Sequence, residues 1–240
     1  MKKLLLPFVL LICLLFNAGM VSAHALYIDT STKGKIGESQ EVRVYYSEFE
    51  DRKAEKVADW YSDVAAFQLW LIHPDGEKTQ LNTTSKEDHF VSSFTPEKKG
   101  AYRLEISHIA EDPGEETAYQ FNAFAQVFVG KSSQTPDLTA SGPDLVVIQA
   151  SPDSKAKNVT TYKTYFKGEP KEGIEATLFL PSGGKKTFVS NATGVLELTL
   201  EEKGTYFLEA TSFHKDESGE TKKSPYKSVW RCATQKIEVL

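Results

Sequence analysis

Runs of alternating apolar and polar residues fill most of this chain, and a period of two is the pattern of β-strands that bury one face. In EVRVYYSEF (41–49), Val42, Val44 and Tyr46 fall on one face. AYRLEISH (101–108) repeats the alternation, and short segments rich in proline, glycine and aspartate separate the runs. We therefore expect an all-β fold of short strands joined by tight turns.

The alternation predicts the strands of the first half individually. They follow a strand that starts near His24 and lie at 41–47, 67–73, about 78–84, 89–95, 101–108 and 118–129. One stretch differs, because Ala54, Val57, Ala58 and Tyr61 recur at helical spacing. For residues 51–67 we expect either a short helix or an ordered loop.

The two halves of the chain resemble each other. LWLIHPDGEKTQL (69–81) matches LFLPSGGKKTFV (178–189), and each is followed by a Gly-x-Tyr strand, at Tyr102 and Tyr206. A tyrosine at a strand start is typical of the tyrosine corner of immunoglobulin-like sandwiches. The pattern predicts two immunoglobulin-like antiparallel β-sandwich domains in tandem. Their predicted bounds are 24–130 and 144–240, joined by a polar linker at 131–143.

The N-terminal segment has the pattern of a cleaved secretory signal peptide. Lys2 and Lys3 precede an apolar run at 4–16, and Val21 and Ala23 stand at the −3 and −1 positions of a cleavage site. A bilayer span needs about 20 apolar residues, more than this run has. We expect residues 1–23 to be removed, leaving a periplasmic or secreted protein that starts at His24 and has no membrane span.

Composition narrows the classes of partner. The chain has a net charge of −5, which becomes −7 once Lys2 and Lys3 are removed. An acidic chain without a basic patch does not neutralise phosphates, so we expect no nucleic-acid partner. One cysteine remains, Cys232, which excludes an internal disulfide. It lies within a predicted strand, and we expect it to be buried.

No sequence motif indicates catalysis, since G-x-S-x-G, a phosphate-binding glycine loop and H-E-x-x-H are all absent, and we expect a non-enzyme. Alternating strand directions place His24, His89 and His108 at one end of the first sandwich and His73 at the other. His214 falls at the end of the matching strand in the second half. Acidic side chains are expected at the same end as His24, from Glu48, Glu50, Asp51, Asp59, Asp63, Glu111, Asp112, Glu115 and Glu116.

An N-terminal histidine offers its α-amine and its ring Nδ1 to a single metal ion. A second imidazole, from His108 or His89, then completes a set of three nitrogens that suits Cu(II) or Ni(II). Both the amine and the rings must lose protons to bind metal. We therefore expect metal affinity to fall steeply between about pH 7 and pH 5.

Four segments carry a resemblance to a known family: SAHALYIDT, FQLWLIHPDG, KKGAYRLEISH and YQFNAFAQVFVG. Here the chain resembles a bacterial periplasmic family of domains of unknown function, sometimes labelled NikM-like or nickel-uptake-associated. The resemblance implies a non-enzymatic protein that binds nickel, cobalt or copper and feeds a membrane transporter. His24 is the one matched position. The histidine-rich loops of some members have no counterpart here.

Two other classes of function stay open at this point. A metal-free structural or adhesive sandwich would bind a partner protein or a glycan. An oxidative enzyme with a histidine brace would need a flat aromatic surface, and the sequence shows none. Convergence of the His24 ring with a second histidine favours metal binding, and histidines scattered over separate faces favour the structural class.

Overall fold

The computed structural model describes residues 24–50, 53–130, 142–150 and 158–239, and all statements below concern these residues. The proposed signal peptide and most of the predicted linker lie outside them. The fold is nearly all β. The strands of the first half are β1 (Ala25–Asp29), β2 (Lys33–Gly34), β3 (Gln40–Ser47), β4 (Leu69–Ile72), β5 (Lys78–Leu81), β6 (Thr84–Ser85), β7 (Phe90–Phe94), β8 (Gly100–Ile109) and β9 (Thr117–Val129).

The second half repeats this scheme. Its strands are β10 (Leu145–Gln149), β11 (Val159–Phe166), β12 (Glu169–Pro170), β13 (Glu175–Phe179), β14 (Lys185–Val189), β15 (Val195–Thr199), β16 (Gly204–His214), β17 (Gly219–Glu220), β18 (Pro225–Tyr226) and β19 (Ser228–Val239). The strands predicted for the first half are all present, with ends within three residues of those expected.

The segment after β3 is an ordered loop rather than a continuous helix. It holds two single-turn 3-10 helices, Val57–Asp59 and Val64–Ala66. Between them the backbone of Ser62 adopts a left-handed φ of 52°, which a continuous right-handed helix excludes. The sequence left open a short helix or an ordered loop here, and the ordered loop agrees better with the structure.

One large sheet runs through both halves of the chain. Its strand order is β14-β13-β16-β19-β9-β8-β4-β5, and β2 also pairs with β9. The halves meet where β19 pairs with β9 in parallel, from Ser228–Thr117 to Gln235–Phe124. The remaining pairings in this sheet are antiparallel, apart from the short β2–β9 contact. The tandem arrangement expected from the sequence did not include this shared sheet.

Two smaller sheets cover the central sheet on opposite faces. The sheet β1-β3-β7-β6 packs over one half to form the first core, which includes Phe121 and Ala123. The sheet made of β10, β11, β12 and β15 packs over the other half to form the second core, which includes Phe124. Because neighbouring residues of a strand point to opposite faces, β9 contributes to both cores.

The tyrosine corners predicted from the Gly-x-Tyr motifs are present in both halves. The Tyr102 hydroxyl accepts the Lys98 N–H (2.9 Å) and donates to the Lys98 carbonyl (3.0 Å). The Tyr206 hydroxyl bonds the N–H and carbonyl of Glu202 at 2.7 and 2.9 Å. Both tyrosines are buried. Each corner therefore fixes the loop that precedes its strand.

The backbone conformation and close packing at the first position of each motif explain why that residue is glycine. Gly100 and Gly204 adopt φ values of 139° and 121°, which side chains rarely allow. A Cβ on Gly100 would lie 2.5 Å from the Pro74 ring, and one on Gly204 would lie 3.0 Å from the Pro181 ring. The two halves thus repeat a glycine packed on a proline as well as a tyrosine corner.

Candidate metal site

His24 stands at the open end of the first core. It directly precedes β1, whose pairing with β3 matches Ala25 to Ser47, so His24 lies beside Glu48. Its side chain projects to the same face as the buried Leu26. The imidazole stacks on the ring of Tyr46, with centroids 5.4 Å and planes 25° apart. The ring is one-third exposed.

Two carboxylates flank the His24 ring. Its Nε2 lies 2.5 Å from Glu55 Oε1, a close ion-pair contact, and its Nδ1 lies 3.7 Å from Glu48 Oε1. A neutral ring whose proton lies on Nε2, beside Glu55, carries its lone pair on Nδ1. That tautomer presents Nδ1 toward Glu48.

Glu55 is held in place by its own backbone. Its N–H donates to the Tyr46 carbonyl at 3.1 Å, and its carbonyl accepts the indole N–H of the buried Trp60 at 3.2 Å. The loop is thereby tied to the strand beneath His24. Sequence reasoning placed Asp59 and Asp63 of the same segment at this end but did not include Glu55.

His108 faces the same end of the first core but has another partner. It lies on β8 opposite Phe121, and its Nε2 is 3.2 Å from Asp63 Oδ1. Phe121 packs edge-on against Tyr46, so these two aromatic rings stand between His24 and His108. In the described part of the chain, no hydrogen bond, ion pair or ring contact joins the two histidines.

The Asp63 carboxylate organises the loop around His108. Partial burial opposes its ionisation, but hydrogen bonds from the Glu111 N–H (2.8 Å) and from His108 outweigh this and hold the pKa of Asp63 below its ordinary value. Asp63 therefore stays ionised and fastens the β8–β9 connection. His108 is 13% exposed and orients toward this carboxylate.

His89 lies on the other face of the β1-β3-β7-β6 sheet. It stacks on the ring of Tyr45 with centroids 5.1 Å apart, and its Nδ1 lies 2.6 Å from Asp88 Oδ1. The next residue, Phe90, points into the first core against Trp60. The sequence placed His89 at the correct strand end, but the inward Phe90 turns His89 away from His24.

The remaining histidines and acids lie elsewhere. His73 bonds Thr79 and touches Tyr102, at the opposite end of the first sandwich, as the strand directions predicted. His214 stacks on Phe166 in the second half. Many of the predicted acids form ion pairs with lysines of the second half, through Glu50–Lys185, Glu111–Lys222, Asp112–Lys223 and Glu116–Lys227. Asp51 lies outside the described residues.

Cys232 is fully buried beside the first core, as expected for a strand cysteine. Burial raises the pKa of its thiol well above the ordinary value, so it does not act as a thiolate ligand. Among the side chains that the structure describes, no group of three or more His, Cys, Asp and Glu residues is arranged to hold a metal ion. The α-amine of His24 is a backbone group and lies outside that set.

Comparisons with known proteins leave the family open. No family model matches the chain, and no curated protein matches it. One similar solved structure is that of a DUF4785 family protein from Legionella pneumophila subsp. pneumophila strain Philadelphia 1, at 16% sequence identity and a TM-score of 0.31. That match covers 76% of this chain and 50% of the other. The chain therefore spans about half the length of that protein.

Across the described residues, no helix has both the length and the apolar character needed to cross a membrane.

Proposed function

We propose that this protein binds one divalent transition-metal ion through the α-amine and ring Nδ1 of His24 together with the carboxylate of Glu48. The observation that carries the proposal is the 2.5 Å contact between His24 Nε2 and Glu55 Oε1. It leaves Nδ1, rather than Nε2, as the free nitrogen of the ring. Nδ1 is the nitrogen that can chelate one ion together with the histidine's own amine.

The spacing of the two side-chain donors fits a single ion. Donor atoms bound about 2.0–2.2 Å from one ion lie between about 2.8 Å and about 4.3 Å apart. The 3.7 Å between His24 Nδ1 and Glu48 Oε1 falls in this interval. It is also too long for a hydrogen bond, so Glu48 is not engaged by the ring itself.

Glu55 supports the same site without touching the ion. Metal-binding histidines generally donate their second ring N–H to a carboxylate or carbonyl, which fixes the tautomer and raises the basicity of the ligand nitrogen. Glu55 provides such a partner at 2.5 Å, on a backbone tied to Tyr46 and Trp60. His108 and His89 do not converge with His24, and by the criterion set from the sequence this favours the metal-free class. The metal proposal therefore rests on Glu48, whose carboxylate takes the place of a second imidazole.

The proposed ligand atoms determine which metal ions the site favours. Two nitrogens and one carboxylate oxygen suit borderline divalent ions, in the affinity order Co(II) below Ni(II) below Cu(II), with Zn(II) weaker than Cu(II). The carboxylates of Glu48 and Glu55 beside His24 add a local negative field that favours cations. The proposal therefore covers nickel, cobalt and copper, with copper bound most tightly in solution.

The proposal includes the cellular location in which the site forms. A free amine on His24 requires cleavage after Ala23, so the site would form only in the exported periplasmic or secreted protein. There it would bind metal without catalysis and pass it to a membrane transporter, as the family resemblance implies. We also retain the division into two immunoglobulin-like sandwiches, which the two cores and two tyrosine corners support.

Calorimetric titration of Cu(II), Ni(II), Co(II) and Zn(II) into exported protein tests the proposal. The matched control carries one extra alanine before His24, which moves the amine away without changing any side chain. We expect one-to-one binding that falls at least about 100-fold in the control, since a chelate ring is lost. Glu48→Gln should weaken binding as well.

Two results would count against the proposal. Equal affinity in the protein and the extended control would show that the amine is not a ligand. Absence of binding in both would leave His24 as a structural residue and favour the metal-free class of sandwich protein.

A further inference from the structure

The central sheet divides near the end of β9. Parallel pairing of β9 with β19 ends at Phe124–Gln235, and β9 pairs next with β2, from Phe128. Between these points, Ala125–Val127 have a described strand partner only on the β8 side. Beyond Gln235, β19 continues to Val239 with a described partner only in β16. After Gln235, β9 and β19 are therefore no longer paired, and their facing edges diverge.

A cleft of about 850 Å³ opens at this division. Its walls come from β1, β3, β9, β19 and the segment 30–33, and the metal site described above contributes none of them. Ligand pockets commonly measure about 300–1,000 Å³. Many of the side chains that line the cleft are uncharged hydroxyls and amides, including Thr30, Ser31, Ser39, Gln40, Gln126 and Gln235.

Gln235 lines the cleft with an unsatisfied carbonyl. Its side chain is 5% exposed, and its Oε1 is buried without a hydrogen-bond partner. Its amide nitrogen has only a long contact of 3.5 Å to Gln126 Oε1. Buried polar groups in folded proteins nearly always have a partner. A hydroxyl or N–H donor of a ligand in the cleft would supply it.

The other two glutamines of the wall are already fixed. Gln40 Nε2 donates to Thr30 Oγ1 at 2.8 Å and to the Ser31 carbonyl at 3.0 Å. Gln126 Oε1 accepts the Gln149 N–H at 3.0 Å. These contacts hold the wall in one arrangement before any ligand arrives, which lowers the entropy cost of binding.

The charges around the cleft balance. Lys236 pairs with Asp29 at 2.7 Å, and Arg43 pairs with Glu41 at 2.6 Å. Lys33 and Glu238 add one charge of each sign. Acidic and basic residues are equal in number along the wall, so the cleft selects against strongly charged ligands.

The lining also distinguishes a glycan from a peptide. An extended peptide added to a strand edge takes its affinity from main-chain hydrogen bonds and its specificity from pockets for alternate side chains. The apolar residues of this wall are Ile28, Ala125 and Val239, and no aromatic ring is among its described residues. We propose that the cleft binds an uncharged, polyhydroxylated ligand, a short neutral oligosaccharide, through hydrogen bonds to Gln235 and the diverging strand edges.

Titration of ¹⁵N-labelled full chain with maltotetraose, cellotetraose and chitotetraose, followed by NMR, tests this proposal. We expect at least one of them to shift the amide signals of 30–33 and 236–239. Gln235→Leu should lower that affinity by about tenfold or more. Asn122→Leu is the matched control, because Asn122 is also a buried amide with an unpartnered oxygen but does not line the cleft.

Three outcomes would overturn the proposal. One is the absence of cleft shifts with all three tetrasaccharides at millimolar concentration. Another is equal binding by Gln235→Leu and the unaltered chain. The third is a shift map that an uncharged tetrapeptide produces and the glycans do not. If Gln235→Leu fails to fold, the shift map of the unaltered chain still decides the location.

Discussion

Phe49 stacks on Phe207, with ring centroids 4.7 Å and ring planes 10° apart. Phe49 stands in the loop after β3, directly after Glu48, whereas Phe207 belongs to β16 of the second half. Phe179 and Tyr27 also contact the Phe49 ring, and the neighbouring Glu50 pairs with Lys185. The second half of the chain therefore holds the loop that carries Glu48.

Replacement of Phe207 by leucine should disturb the metal site from a distance. We expect Phe207→Leu to lower the free energy of unfolding by about 1–2 kcal/mol, since an aromatic pair and buried volume are lost. Metal affinity should fall by about threefold to tenfold as the Glu48 loop loosens. Phe188→Leu, a similar change on the second core, should reduce stability but leave affinity unchanged. Equal affinity in both variants would contradict the coupling.

Two variants of Glu55 separate its hydrogen bond from its charge. Glu55→Leu removes the acceptor for His24 Nε2–H and should weaken metal binding by about 10-fold to 100-fold. Glu55→Gln keeps an oxygen acceptor and should cost less. Calorimetry with Cu(II) measures both. If Glu55→Leu binds as tightly as the unaltered protein, the tautomer of His24 is not controlled by Glu55.

The two tyrosine corners should contribute separately to stability. Tyr102→Phe and Tyr206→Phe each remove the hydroxyl that bonds a backbone N–H and carbonyl of the preceding loop, which costs about 0.5–1.5 kcal/mol. Because the corners belong to different cores, the double variant should lose close to the sum. Urea unfolding measures these losses as a shift in midpoint at constant slope. A double variant no less stable than either single one would contradict this independence.

Glu209 should make stability depend on pH. Burial raises its pKa from 4.5 to about 7, although the positive charge of Lys185 opposes the shift. The folded chain thus favours the protonated carboxyl. This contribution is complete below about pH 4.5 and is lost as the pH rises to about 7.

Glu209→Gln removes this pH dependence. We expect it to stabilise the protein by about 1–2 kcal/mol at pH 8, with solvent screening of the partly buried group included, and to have little effect at pH 4.5. Thermal unfolding at both pH values measures the difference, with Glu175→Gln, an exposed glutamate of β13, as the control. An equal effect of Glu209→Gln at both pH values would argue against a raised pKa.

Local patterns in the sequence predicted the local features of this fold. Alternation located the strands, and the Gly-x-Tyr motifs located the tyrosine corners, because both depend on neighbouring residues. The parallel pairing of β9 with β19 joins residues such as Thr117 and Ser228, and no local signal marks a contact over that separation. Within the site, the alternation around Phe90 could have shown that His89 points away from His24. The contact with Glu55 depends on a loop path that the sequence does not define.

Strand β9 serves two cores at once, and this has a practical consequence for dividing the chain. A fragment that ends near residue 130 would keep β9 but lose β19, so the N–H and carbonyl groups facing β19 from Thr117 to Phe124 would become an open edge. Long exposed edges of this kind recruit other strands. Expression of the first half alone should therefore give self-associating material, and useful fragments would have to carry β19 as an added strand.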